Sequence, residues 1–332
     1  MKKILVIKGD GIGPEVTEAA IKVLNALNFN AKYEEAYAGF ACHEKTGVPV
    51  PEETIEMAKK SDAILFGAVT TPSKDMKAKS AILSLRQNLD LFANIRPART
   101  YKGLGRYGDE NVDILIVREN TECLYSGIGE MDEKLGIAIN QRIISKKATE
   151  RIANAAARFA NGKITITHKA NVVKPSDVLF LSVASETLKK LGKEFDSEIV
   201  DALAMKLVVN PAKYRTILAP NLYGDILSDL VAGIAGSIGL CPSANIGEKI
   251  GLFEPVHGSA PDIAGKGIAN PCGAILSAAL MLDFLGEKEG ANKVRLAVES
   301  VIVGRKSLTP DLGGKSKTNE MLNSIIQEME VL

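Results

Sequence analysis

Asp225 and Asp229 are the two residues of this chain whose types and spacing best suit a hard cation. Four positions apart, they share one face of a helix. Leu230, Val231 and Ile234 carry an apolar pattern onward, so both carboxylates stand at the entry of a buried helix. Placed there, they repel each other unless a cation lies between them. Oxygen ligands suit Mg2+ or Mn2+, which keep coordination sites open for water and substrate. Acids in a first helical turn also favour the helix dipole, and the spacing alone leaves that structural reading open.

Other residues could act beside such a pair. Arg86, Arg96 and Arg118 each border an apolar segment, where a guanidinium needs a carboxylate or phosphate partner. Taken singly, each is more often a solvated surface residue. Lys169 follows a strand at 164–167, with Ala170, Val172 and Val173 behind it. Burial there would depress its pKa, whereas a snorkelling lysine would keep its head in water. Residues 253–265 are dense in glycine and proline and carry Glu254, His257 and Asp262. Loops of this composition bind more often than they link.

The elements that must position these groups alternate along the chain. Short apolar strands are predicted at 4–7, 63–66, 114–117, 164–167 and 216–219. Helices are predicted from Pro14, over 80–91, after a Ser145 cap, around Met205 to Val208, and over 274–285 and 292–303. Strands alternating with helices imply an α/β fold. The first loop, Gly9-Asp10-Gly11-Ile12-Gly13, has G-x-G-x-G spacing and lacks the G-x-G-x-x-G of a Rossmann fingerprint. Turn glycines are the simpler reading. A polar link is read at 74–79.

The totals exclude several classes. The 332 residues allow roughly two domains. Lys+Arg 41 against Asp+Glu 40 gives a net charge of +1, which argues against broad nucleic-acid or anionic-membrane binding. Cys42, Cys123, Cys241 and Cys272 are scattered without C-x-x-C pairs, so neither a zinc knuckle nor a disulfide framework is expected. No apolar run approaches a membrane span and no signal-type segment opens the sequence. The expectation is a cytoplasmic protein.

The ensemble of motifs is similar, almost end to end, to the β-decarboxylating dehydrogenases, the family of isocitrate, 3-isopropylmalate and homoisocitrate dehydrogenases. Residues 9–14, Leu85-Arg86, 93–97, 117–122 with Tyr125, 168–172, Asp201, 221–229 and 254–262 carry the resemblance. It implies a two-domain isopropylmalate dehydrogenase-like α/β fold with a large mixed sheet, not a Rossmann unit. One domain, 1–92 with 236–332, would bind nucleotide and hold both termini. The other, 93–235, would carry the dimer interface and metal site. The resemblance further implies a homodimer or dimer of dimers, with Lys169 and Asp201 acting in trans on Asp225 and Asp229 of another subunit.

Residue by residue, the family pattern assigns Arg86, Arg96 and Arg118 to the carboxylates of a 3-substituted malate. Asp201, Asp225 and Asp229 are assigned to Mg2+ or Mn2+. Lys169 is assigned as base or base relay for the hydroxyl proton, and Tyr125 as the acid that protonates the enol carbon. Asp201 joins them in the catalytic set, and Asn171 and Val172 line the substrate. Thr70, Asn171, Glu254, His257, Gly258, Ser259, Ala260, Asp262, Ile263 and Asn270 match the nucleotide loop. The Asp262-Ile263 pair resembles the NAD type, because a carboxylate accepts from a ribose 2′-hydroxyl and repels a 2′-phosphate.

Substrate choice would fall to residues 79–83. Isopropylmalate enzymes resemble Glu-x-x-Leu-Leu there and isocitrate enzymes Ser-x-Asn; this chain has Lys79, Ser80, Ile82 and Leu83. A cation and a hydroxyl above an apolar wall suit a carboxylate on a longer methylene chain. That combination, with the loop at 70–72, resembles archaeal-type homoisocitrate dehydrogenases, including those of coenzyme B biosynthesis. The expected reaction is oxidation of homoisocitrate to 2-oxoadipate with loss of CO2, longer homologues being further candidates and 3-isopropylmalate the alternative. A catalytically silent regulatory subunit of an isocitrate dehydrogenase would lose metal or base residues, and this chain keeps all of them. Departures from the family pattern are Tyr214-Arg215-Thr216, Ala219-Pro220, and Cys123 where glycine is commoner.

Overall fold

The computed structural model describes residues 1–70 and 80–332. The polar link at 74–79 and the expected substrate contact Lys79 lie outside the described residues. The chain opens with β1 (Lys2–Gly9), α1 (Gly13–Ala26), β2 (Ala31–Glu35), α2 (Phe40–Thr46), α3 (Glu52–Lys59), β3 (Ala63–Ala68) and α4 (Ala81–Asn88). Next come β4 (Ala93–Arg99), β5 (Asp113–Glu119), β6 (Gly129–Asp132), β7 (Ile137–Asn140), α5 (Lys146–Phe159), β8 (Ile164–His168) and α6 (Lys174–Lys190). Then follow β9 (Phe195–Ile199), α7 (Val200–Val209), β10 (Thr216–Ala219), α8 (Asn221–Ala235), β11 (Pro242–Ile246) and β12 (Gly251–Pro255). The chain closes with α9 (Cys272–Leu285), α10 (Lys288–Val303) and α11 (Thr318–Val331).

Two compact units result. The first comprises Met1–Leu91, Ala98–Asn111 and Ala232–Leu332. Its strands lie in the order β2-β1-β3-β12-β11. The first four are parallel neighbours and β11 runs antiparallel to β12, so the sheet is mixed and the α/β expectation holds. One face of it buries Leu5, Ile7, Ile64, Phe66, Leu85 and Leu252 together. Residues 98–111, expected in the central domain, belong instead to this first unit. Tyr101 is buried there, Arg99 pairs with Glu299 at 2.6 Å, and Arg305 donates to the Gly103 carbonyl.

The second unit comprises Phe92–Pro97 and Val112–Val231. Its strands lie in the order β4-β5-β10-β8-β9, and β5, β10, β8 and β9 are parallel. Every residue of β8 and β10 is buried, as expected of strands covered on both faces. The expected cap forms at α5: the Ser145 hydroxyl accepts from Ala148 N–H at 3.1 Å.

The stretch 253–265 is not one loop. Its first residues, including Glu254, lie in β12, a fully buried strand between β3 and β11. A five-residue strand buried on both faces shows no alternation, and Pro255 at its end disguises it further.

Candidate active site

Strand β5 delivers Arg118 at its carboxyl end, and the side chain runs back along the start of α8. Nε and Nη2 both donate to Asn221 Oδ1, at 3.0 and 2.7 Å, while Nη1 donates to Asp225 Oδ1. Gly224 permits this approach, since a Cβ there would lie 2.6 Å from Arg118 Cγ. From β4, Arg96 Nη1 reaches Ser228 Oγ at 2.6 Å, Asp225 Oδ1 at 3.3 Å and Asp229 Oδ1 at 3.9 Å. Tyr125, on a short turn at 124–126, donates its hydroxyl to Asp225 Oδ2 at 2.5 Å and lies 5.0 Å beneath the Arg118 guanidinium. The structure therefore brings together five of the expected residues: Arg96, Arg118, Tyr125, Asp225 and Asp229.

Electrostatics follow from this packing. Partial burial pushes the Asp229 carboxyl above its ordinary range; Arg96 opposes that rise and the neighbouring Asp225 charge adds to it. Burial is also the main reason the Tyr125 phenol is raised, with Arg118 opposing and Asp225 assisting. Tyr125 is thus held as a neutral donor. Two carboxylates that disfavour each other's charge, presenting only oxygen, fit a hard divalent ion.

Lys169 and Asp201 form a separate pair. Lys169 follows β8 directly and its ammonium donates to Asp201 Oδ1, in the first turn of α7. That contact holds the Asp201 carboxyl below its usual range. Among the described residues no three acidic, imidazole or thiol side chains of one chain converge as a metal site. Asn171 and Val172 lie in the turn beyond Lys169, with Val172 67% exposed.

The expected nucleotide residues lie in the first unit. His257 is buried, and burial lowers its pKa, so the ring is neutral. Nδ1 lies 2.9 Å from the Gly258 carbonyl and must carry the proton, which leaves Nε2 a buried acceptor with no hydrogen bond. A Cβ added at Gly258 would meet nothing within 4 Å. An unanswered acceptor beside open space fits a ligand that brings a donor, as a nucleotide does. Ala260, at φ 38°, and Ile263 close a turn whose Asp262 is exposed. Thr70 Oγ1 and Ser259 Oγ are 2.6 Å apart. Gly11 lets Ile12 N–H reach the Ser259 carbonyl at 2.8 Å, because a Cβ there would lie 1.9 Å from that oxygen.

Three of the expected ligand contacts, Asn270, Arg86 and Glu254, also have partners within the chain. Asn270 Nδ2 donates to Asp311 and its Oδ1 accepts from Cys272 N–H at the start of α9. Arg86, on α4, donates to Glu254 Oε1 at 3.1 Å, and Glu254 also accepts from Asn245 at 2.7 Å. Sequence reasoning missed Ser228 and Asn221 as partners of the arginines. It also missed Asp10, whose carboxylate accepts from Phe40, Ala41 and Thr70 N–H groups. Ser228 stands three residues after Asp225, on the same helical face, and that spacing was the available signal.

The family model described as isocitrate/isopropylmalate dehydrogenase matches residues 3–325. The chain belongs to this family. It is 47% identical over 340 aligned positions to an isocitrate/homoisocitrate dehydrogenase of Thermus thermophilus, covering 99% of each chain. It is also 47% identical to a 3-isopropylmalate/3-methylmalate dehydrogenase of Methanocaldococcus jannaschii, again covering 99% of each. Among solved structures, isocitrate dehydrogenase of Methylococcus capsulatus superposes with a TM-score of 0.95 at 40% identity, covering 99% of each chain. As a member of the isocitrate/isopropylmalate dehydrogenase family the chain is an oxidative decarboxylating dehydrogenase. The family uses a nicotinamide cofactor and a divalent metal, and acts on small malate-type acids. Among the described residues no helix is long and apolar enough to cross a membrane.

Proposed function

We propose that the chain oxidises homoisocitrate with NAD and releases CO2 to give 2-oxoadipate. The observation that carries the substrate is at the start of α4. Ser80 occupies the N-cap position, yet its hydroxyl makes no capping hydrogen bond. That leaves the hydroxyl for a distal carboxylate, with Leu83 half-buried one turn before Arg86 on the same helix. Ile82 packs partly on the core beneath. For the cofactor, the exposed Asp262 carboxylate favours a ribose 2′-hydroxyl over a 2′-phosphate.

Arg96 and Arg118 bind and orient the substrate carboxylates, and Ser228 and Asn221 keep the guanidinium planes in place. Lys169 takes the hydroxyl proton as hydride leaves C2. Tyr125, neutral because of its burial, gives a proton to C3 after CO2 departs. Asp225 and Asp229 would hold Mg2+ or Mn2+, which when bound acidifies the substrate hydroxyl and stabilises the enolate.

Asp201 and Lys169 act on a neighbouring copy in this reading. The α7 face that carries Asp201 also exposes Met205 and Val208, at i+4 and i+7, and α8 exposes Ile226 beside Asp225. Large apolar side chains around acidic ligands support burial by a second subunit.

The test is a spectrophotometric panel of isocitrate, homoisocitrate and 3-isopropylmalate with each nicotinamide cofactor. Homoisocitrate with NAD is expected to give the highest kcat/KM. A higher value for 3-isopropylmalate would reverse the substrate assignment, and equal or better turnover with NADP the cofactor assignment.

A further inference from the structure

Asp177 is fully buried in the first turn of α6. Its Oδ2 accepts the backbone N–H of Lys169 at 2.6 Å, eight residues back. Its Oδ1 lies 2.7 Å from Arg142 Nη2. Arg142 Nη1 donates in turn to the Tyr223 hydroxyl at 2.5 Å, and the guanidinium stacks 4.4 Å from that ring. Tyr223 lies on α8, two residues before Asp225.

An acid in a first helical turn is commonly a dipole or capping device, but that accounts for neither the reach to Lys169 nor the arginine. A carboxylate removed from water needs a cation and hydrogen bonds to be tolerated, and both are present. The Lys169 carbonyl is fixed as well, accepting from Val172 and Val173 N–H groups at 2.9 Å each. Both backbone polar groups of Lys169 are therefore held, which sets the origin of its side chain.

We propose that Asp177, locked by Arg142 and Tyr223, is a positioning residue for Lys169. The proposal deepens the reading above and rests on Lys169 carrying the hydroxyl proton. Loss of the Asp177 carboxylate frees the turn after β8 and lets the side-chain amine that takes the proton drift from the reacting hydroxyl. A displacement of about 1 Å can cost on the order of 100-fold in rate.

A double-mutant cycle on the full-length enzyme tests this, with kcat and KM measured for whichever malate is turned over and Tm recorded for each variant. Asp177→Asn is expected to lower kcat ~10- to 100-fold with KM changed less than about threefold. Asp177→Glu should recover most of the rate. In a Lys169→Met background Asp177→Asn should cost nothing further, because it acts only through the lysine. Full kcat in Asp177→Asn, or an equal loss in both backgrounds, would overturn the proposal while leaving the role of Lys169 intact. A fully active Lys169→Met would reject the underlying reading and the proposal with it. Should Asp177→Asn fail to fold, Arg142→Lys takes its place in the cycle, with the same loss expected and the same results overturning the proposal.

Discussion

Arg118 spans one full turn of α8: its guanidinium holds Asn221 through two nitrogens and Asp225 through the third. The arginine is buried to 1% exposure, whereas the Asp225 side chain keeps 36%. The cation is fixed and the carboxylate it touches stays reachable, a geometry suited to orienting an anionic substrate against an acid able to hold a metal.

Replacing Arg118 with lysine should be severe. Lysine keeps the charge but cannot reach Asn221 and Asp225 together. Loss of two charge-assisted hydrogen bonds, at about 1.5 kcal/mol each, corresponds to a fall in kcat/KM of roughly 100-fold. Steady-state kinetics of Arg118→Lys check this, and a fall below about threefold would contradict it.

Tyr125→Phe removes the donor while keeping the ring under Arg118. Expected is a kcat loss of about 100- to 10,000-fold with little change in KM. The sign of the pH dependence follows from the raised phenol. A neutral acid whose pKa is raised above its ordinary 10.0 titrates above that value, so any alkaline limb of wild-type kcat from this group should have its midpoint above pH 10. An alkaline limb with its midpoint below pH 10 that disappears in Tyr125→Phe would contradict the assignment.

His257 makes stability acid-sensitive. Burial holds its folded pKa below the ordinary 6.5, so between those two values the unfolded chain binds the extra proton. Stability from this residue is present above pH 6.5 and is lost as pH falls through that window. Urea midpoints measured from pH 8 to pH 5 should decline less steeply for His257→Asn than for the wild type. Identical slopes would remove the assignment.

Cys123 sits at φ 70° and ψ −147°, a region that favours glycine, two residues before Tyr125. Cys123→Gly should keep stability within about 1 kcal/mol, because relieved strain offsets the added chain entropy. Cys123→Val should lose roughly 1–3 kcal/mol. Thermal melts decide between this and a simple packing role, in which glycine would be the worse substitution.

Much of this was legible in the sequence. Buried strands and the Ser145 cap are local signals, carried by apolar runs and one hydroxyl at the right offset. The pairing of Asp225 with Asp229 follows from helical period alone. What the sequence hid is non-local. Asn245 and Asp311 gain their meaning from Glu254 and Asn270, residues 9 and 41 positions away. Strands β11 and β12 lack alternation because every position is buried. The arginines could be read as anion binders, but nothing in their spacing said that Arg86 pairs with Glu254 while Arg118 pairs with Asp225.

The division of labour between Lys169 and Asp225 is tested most directly by mixing subunits. Lys169→Met and Asp225→Asn should each keep only a small residual activity alone. Co-assembled in equal amounts, random pairing into two-fold dimers puts one intact site in each mixed dimer, so activity should return to roughly a quarter of the wild-type value. Mixtures no more active than their parents would show that both residues serve the same chain's site, and would contradict the account.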